Sequence, residues 1–198
     1  MLKIMGIAGS PRKNGNSTTL MEAMIDGASD LGADSEIVYL NDILFKGCQG
    51  CSVCVPAGSC ILTDDLTPVL AALPEADIWI LAAPIYFCGV SGQLKLFFDR
   101  CHCMVTWDGG KVMPQLEGKR AAAVIVTYEA DRSEGYLRRA QSLRDYLKWF
   151  GDFEPREVIC EERLKEVDAA RNRPELLERV RSQGRKLAAD LLRRRGGS

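Results

Sequence analysis

The sequence predicts an open, doubly wound α/β fold: a five-stranded parallel sheet in the order 2-1-3-4-5, with helices on both faces. Three observations carry this. Short apolar runs alternate with helix-period stretches along the chain, which implies parallel strands joined by right-handed crossovers. Asp77 to Ala83 is a nearly continuous apolar run, the pattern of a central strand buried on both faces. Five such runs fit a sheet of this order better than a six-stranded dinucleotide-binding sheet.

The elements follow in order. Leu2 to Ala8 is a short apolar strand ending at Gly9. Ser17 to Leu31 has helical spacing, with Leu20, Ala23, Met24, Gly27 and Leu31 on one face, and Gly32 stops it. Glu36 to Leu40 is the second strand. Gly47 to Cys60 is rich in glycine and cysteine and shows no period. Asp64 to Ala76 is a helix with acidic residues at its start, capped by Asp64 or Thr67, and Asp64 and Asp65 read as helix capping rather than as an acid–base pair. After the Asp77 to Ala83 strand come a helix over Ser91 to Cys101 and a strand over Arg120 to Thr127. Glu134 to Phe150 is a long amphipathic helix, Arg156 to Cys160 the fifth strand, and Arg173 to Arg193 a closing helix with Pro174 in its first turn. His102 to Gly118 is a long connection. Arg193, Arg194 and Arg195 read as a solvated helix end, and Gly196, Gly197 and Ser198 as a frayed tail.

The 198 residues are 46% apolar and 27% charged, enough to bury the core of a single domain without disulfide staples. Residues 1–198 therefore read as one domain with a Cys-rich insertion at about 47–62. A net charge of −1 gives no general attraction for nucleic acid or an anionic membrane, and neither is expected as a partner. No stretch reaches the ~18 consecutive apolar residues of a membrane helix, and Met1 to Ala8 is too short for a signal peptide. The expected location is cytoplasmic, where eight cysteines are not structural disulfides.

Ligands of open parallel sheets bind beyond the carboxyl ends of the strands, beside strand one. There the loop Gly9 to Thr19 leads into a helix N-terminus, which suits phosphate. Ser10, Asn16, Ser17 and Thr18 add donors, and Arg12 adds charge. The loop lacks the Gly-Lys-Ser/Thr ending of nucleoside-triphosphate loops and the G-x-G-x-x-G of dinucleotide sites. A donor-lined cup for a monophosphate remains, against a plain polar turn capped by Asn16 or Ser17. On the same sheet edge, Pro84, Ile85, Tyr86 and Phe87 can offer backbone amides and apolar faces to a flat ring, or simply plug the core. Thr127 and Tyr128 end the fourth strand on that side, although Tyr128 could equally face solvent.

Cys48, Cys51, Cys54 and Cys60 have the spacing C-x2-C-x2-C-x5-C, within thirteen residues. Thiolates so spaced can converge on one metal centre, and four complete a cubane. Structural zinc, free thiols and a redox-switchable disulfide are the other readings. Cys88, Cys101, Cys103 and Cys160 read as small buried hydrophobes. His102 is the single histidine, and Cys101 and His102 point apart as sequence neighbours at a helix end.

Gly9-Ser10-Pro11-Arg12, Asn16-Ser17-Thr18, Pro84-Ile85-Tyr86-Phe87, Lys95 and Phe98-Asp99-Arg100 together resemble the NADPH-dependent FMN reductase family over roughly the first 130 residues. The resemblance implies a flavodoxin-like fold that binds FMN. Its phosphate would lie on Ser10, Arg12, Asn16, Ser17 and Thr18, and its isoalloxazine against Pro84 to Phe87 and the Thr127 region. The cysteine pattern resembles that of iron-sulfur flavoproteins, a branch of the same family. That branch implies a [4Fe-4S] cluster on Cys48, Cys51, Cys54 and Cys60, which exchanges electrons with FMN of a neighbouring subunit in a homodimer or homotetramer. The implied activity is that of an oxidoreductase, with NAD(P)H or a ferredoxin-like electron carrier as donor. An FMN-dependent NAD(P)H reductase of FMN, quinone or azo type without a cluster, an electron carrier or redox sensor, and a zinc-stapled binding module are the alternatives. No side chain is singled out as catalytic.

Overall fold

The computed structural model describes residues 1–131 and 134–197. In chain order the elements are β1 (Lys3–Ala8), α1 (Asn16–Ser29), β2 (Asp34–Tyr39), α2 (Cys54–Ala57), α3 (Leu66–Ala72), β3 (Ile78–Tyr86) and β4 (Gly89–Val90). They continue with α4 (Gly92–Arg100), β5 (Val105–Asp108), β6 (Lys111–Pro114), β7 (Leu116–Thr127), α5 (Glu134–Tyr146), β8 (Gly151–Glu161) and α6 (Pro174–Gly196). The main sheet runs β2-β1-β3-β7-β8, with every neighbouring pair parallel. This is the expected order, with β7 and β8 as fourth and fifth strands. The short β4 turns back antiparallel along the end of β3.

Period-2 alternation sends each strand's side chains into two cores. In β3, Ile78, Ile80 and Ala82 pack under α1 and α6. Trp79, Leu81 and Ala83 enter the opposite core with α3, α4 and α5. In β7, Ala121, Ala123 and Ile125 alternate in the same way with Ala122, Val124 and Val126. The Trp79 ring meets Phe153 edge-on at 4.9 Å, and its indole N–H donates to the Leu73 carbonyl.

Several boundaries differ from the sequence expectation. The helix expected over Asp64 to Ala76 is α-helical only from Leu66 to Ala72, and Pro74 leaves a 3-10 turn behind it. The fifth strand begins at Gly151 rather than Arg156, and the fourth at Leu116 rather than Arg120. The connection from His102 to Gly118 contains the β5–β6 hairpin, turned by Gly109 and Gly110 at positive φ. Leu31 is exposed rather than on the buried face of α1. Cys88 is exposed and Cys160 half-buried, so these two are not buried hydrophobes. The C-terminal arginines are engaged rather than solvated: Arg194 pairs with Asp152 at 2.9 Å and Arg195 with Asp77 at 2.7 Å. Ser198 lies outside the described residues. Among the described residues, no helix is long and apolar enough to cross a membrane.

α1 and α6 cross at backbone contact. A Cβ on Gly27 would lie 1.8 Å from the Arg181 carbonyl oxygen, and one on Gly184 would lie 1.9 Å from that of Met24. Alanine is favoured over glycine inside a helix by about 1 kcal/mol, but such an overlap forces the helices apart at a typical cost of about 1–3 kcal/mol or more. The overlap is with backbone, so it outweighs propensity. Gly27→Ala and Gly184→Ala are each expected to lower the melting temperature by several degrees. An unchanged midpoint in thermal or urea unfolding would contradict the close crossing.

Candidate functional site

The β1–α1 loop is stitched to the end of β3. Gly9 N–H donates to the Ala82 carbonyl at 2.7 Å, and the Ser91 hydroxyl donates to the Gly9 carbonyl at 2.6 Å. A Cβ on Gly9 would sit 2.6 Å from Leu94 Cβ, so this approach requires glycine. Further on, the Arg12 N–H donates to Ser10 Oγ at 3.0 Å and the Gly15 N–H to the Arg12 carbonyl at 3.0 Å. The loop is thereby curled against the start of α1.

α1 begins without a side-chain cap. Gly15 is its N-cap, and its first turn contains no acidic residue. Among the described residues, the N–H groups of Asn16, Ser17 and Thr18 have no acceptor. Unpaired N–H groups and the positive end of the helix dipole together make an anion site. A Cβ on Gly15 would crowd Ser10 Oγ at 3.1 Å, so the hollow depends on glycine there. The residues present therefore fit a phosphate.

A cleft of about 230 Å³ opens at this helix start. Ser10, Arg12, Asn16, Ser17, Pro84, Ile85, Tyr86, Thr127 and Tyr128 line it, with Gly15, Glu129, Leu164 and Lys165. Nine of the eleven residues singled out for a flavin thus share one wall. Thr18 is fully buried behind it, with a hydroxyl that finds no partner among the described residues. Phe87 stands outside it, fully exposed at the β3–β4 turn. Arg12 makes no side-chain bond among the described residues and is free to meet an anion, whereas Lys13 turns away to Asp42 at 3.0 Å. Tyr128 is buried and meets Tyr136 edge-on at 4.7 Å.

Asn16 has a different task from the one its type suggests. Its amide donates to the Leu164 carbonyl at 3.1 Å and the Glu166 carbonyl at 2.7 Å, and its oxygen accepts from Ala170 N–H at 2.8 Å. Both amide hydrogens are spent on the 164–170 segment, so toward a phosphate Asn16 has its backbone N–H to offer. Leu164 and Lys165 were missed in sequence because their contact to the loop spans about 150 positions, as the Asn16 bonds do.

The cysteine insertion makes a second pocket, of about 200 Å³. Cys48, Cys51, Cys54 and Cys60 line it with Arg100, His102 and Cys103. All five cysteines are free thiols. Gly50 N–H lies 3.5 Å from Cys48 Sγ, and His102 Nδ1 lies 3.6 Å from Cys54 Sγ. Burial pushes the Cys54 thiol above its ordinary pKa, and Cys60, Cys48 and Cys51 add repulsion. Burial likewise pushes Cys103 up to about 11. Among the described residues, no three such side chains stand close enough to grip one metal ion. A single zinc draws its sulfurs to within about 4 Å of one another, given Zn–S bonds near 2.3 Å, whereas a cubane spreads its four ligands around an inorganic core. The donor set, four cysteines around one hollow with a backbone N–H beside a sulfur, fits the latter. The N-cap of α3 is Asp65, which makes no side-chain cap bond and instead accepts the Leu44 N–H, so the capping expected of it is not found. Asp64 accepts from Leu66 N–H and forms a 2.7 Å ion pair with Arg100, a pairing that the sequence does not reveal.

Residues 2–159 match the profile of the NADPH-dependent FMN reductase family. The chain belongs to this family. Membership makes it an FMN-dependent oxidoreductase. An iron-sulfur flavoprotein of Methanocaldococcus jannaschii is 34% identical over 146 residues, covering 74% of this chain and 72% of that protein. One from Archaeoglobus fulgidus is 32% identical over 141 residues, covering 70% of this chain and 61% of its own. Among solved structures, an FMN-dependent NADH-azoreductase of Bacillus anthracis in complex with FMN aligns over 96% of this chain and 99% of its own. Its TM-score is 0.69 at 13% identity. An NAD(P)H:quinone oxidoreductase of Methanothermobacter marburgensis aligns over 94% and 98%, with a TM-score of 0.69 at 18% identity. These two likenesses establish the flavodoxin-like fold.

For this FMN reductase relative, Ser17→Ala tests the cradle at the start of α1. A hydrogen bond to a charged group contributes about 1.5–3 kcal/mol. The variant is expected to bind FMN at least about tenfold more weakly in a fluorescence titration of apoprotein. An unchanged dissociation constant would remove the Ser17 hydroxyl from the phosphate site.

Proposed function

We propose that this FMN-dependent oxidoreductase passes electrons between FMN in the cleft at the start of α1 and a [4Fe-4S] cluster held by Cys48, Cys51, Cys54 and Cys60. The observation that carries the second half is the gathering of these four cysteines around one hollow. The iron-sulfur flavoproteins among its relatives add support.

The chain's own part is to bind, orient and insulate. The first-turn N–H groups of α1, the Ser10 and Ser17 hydroxyls and Arg12 would hold the phosphate. Pro84, Ile85 and Tyr86 would wall the ring, with the backbone at Thr127 and Tyr128 closing its polar edge. Bound FMN supplies one- and two-electron chemistry, and a [4Fe-4S] cluster supplies single-electron transfer. NAD(P)H or a ferredoxin-like carrier would be the electron donor.

The flavin cleft and the cysteine pocket have no wall residue in common. A third cleft, of about 650 Å³, shares His102 with the cysteine pocket and is walled by Phe98, Trp107, Tyr146 and Trp149, with Gly89 and Val90. Transfer would then run between neighbouring subunits of a homodimer or homotetramer.

Protein purified without oxygen is expected to show flavin bands over a broad iron-sulfur absorbance, with about four iron and four sulfide per chain. Cys51→Ala is expected to lose the iron and keep the flavin. Wild-type protein that binds FMN but carries zinc, or no metal, would leave the FMN reductase and remove the cluster.

A further inference from the structure

Arg100, the last residue of α4, is 2% exposed and lines the cysteine pocket. It has five N–H hydrogens. Nη1 donates to the Lys46 carbonyl and to Asp64 Oδ2, both at 2.7 Å. Nη2 donates to the Leu62 carbonyl at 3.3 Å and to Asp64 Oδ1 at 3.2 Å. These four bonds tie together residues 46 and 62–64, the two ends of the segment that bears the cysteines. Asp64 Oδ2 closes the same knot by accepting the Lys46 N–H at 3.1 Å.

The fifth hydrogen is on Nε. It is buried and, among the described residues, has no partner. A buried N–H left unpaired costs free energy, so its acceptor has to be sought on the wall that Arg100 faces. That wall carries sulfur.

We infer that Arg100 is a positioning residue for the metal centre: it knots the neck of the Cys48–Cys60 segment and gives its free Nε–H to a sulfur of the cluster. The inference rests on the cluster reading above. A hydrogen bond and a nearby cation both stabilise the more negative, reduced state of an iron-sulfur centre, and so raise its potential. Asp64 acts in the opposite direction, because its negative charge partly cancels that of Arg100.

Arg100→Gln and Asp64→Asn test this in the full chain, with iron, sulfide and flavin counted first. Each variant keeps polar groups at the neck, and the two remove opposite charges. In an anaerobic redox titration followed by electron paramagnetic resonance, Arg100→Gln is expected to raise the ratio of oxidised to reduced cluster at least about tenfold at a fixed poise. That is a negative shift of about 59 mV for one electron. Asp64→Asn is expected to shift the midpoint in the positive direction. A residue that merely held the neck would move both the same way. Shifts of one sign, or none, overturn the inference. Where one variant loses its iron, the sign of the other decides, and loss of iron from both reduces Arg100 to a tie and also overturns it. Wild-type protein without iron and sulfide sinks the cluster reading itself, a result distinct from unchanged potentials in iron-loaded variants.

Discussion

The start of α1 is the constraint on which the rest depends. A helix that begins inside a protein leaves N–H groups that water cannot reach freely, and leaving them unpaired is expensive. Here Gly15 offers no cap and the first turn carries no carboxylate, so the positive end of the helix stays open toward the cleft. Holding it there requires three supports. Asn16 anchors the first turn to the 164–170 segment, Ser91 pins the loop through the Gly9 carbonyl, and the Gly27–Gly184 crossing seats the far end of α1 against α6. Each support is a close contact that tolerates little change of shape, which suits the phosphate site proposed there.

α4 joins that site to the cysteine pocket. Its N-cap, Ser91, accepts the Leu94 N–H and donates to Gly9 beside the cleft at the start of α1. Its last residue, Arg100, grips the neck of the cysteine segment. Nine helical residues rise about 13 Å, so one rigid element sets the spacing between the two ends. Its buried face, with Leu94 and Phe97, is locked in the core it shares with β3. The pair Arg100–Asp64 is therefore best regarded as a positioning device. A buried ion pair contributes little net stability once both charges have lost their water, but breaking it leaves an uncompensated charge.

What could be read from the sequence follows from how local each signal is. β1, β3 and the core of β7 are continuous apolar runs buried on both faces, and the alternation around them yields the sheet order. The start of β8 was hidden because Asp152, Glu154 and Pro155 interrupt its apolar pattern. The β5–β6 hairpin carried a usable signal, Asp108-Gly109-Gly110 between β-branched residues, but a four-residue strand is too short to register by period. The nine cleft residues lie on three strand ends and one helix start, positions that topology alone brings together. The use of Asn16 was not legible, because an asparagine beside a phosphate loop is read as a donor until its distant partners are known. Arg100 was quoted as part of a motif, yet its role depends on Lys46, Leu62 and Asp64, which only the folded chain gathers around it.

The backbone itself marks the same two places. Among the described residues, the non-glycine residues with positive φ are Ser52, Phe87, Cys88 and Arg163. Ser52 lines the cysteine pocket, and Arg163 precedes Leu164 on the flavin cleft. Phe87 and Cys88 form the two-residue turn between β3 and β4, directly after Tyr86 on the wall of the cleft at the start of α1. That turn geometry ordinarily takes Asn-Gly, and each such residue costs of order 1 kcal/mol or more. Phe87 recovers none of this by burial, since its side chain stands wholly in solvent. Stability alone would replace the pair with Asn-Gly. A cost that the core does not recover, carried beside both candidate sites, points to selection acting on the sites themselves, as strained segments at functional positions do elsewhere.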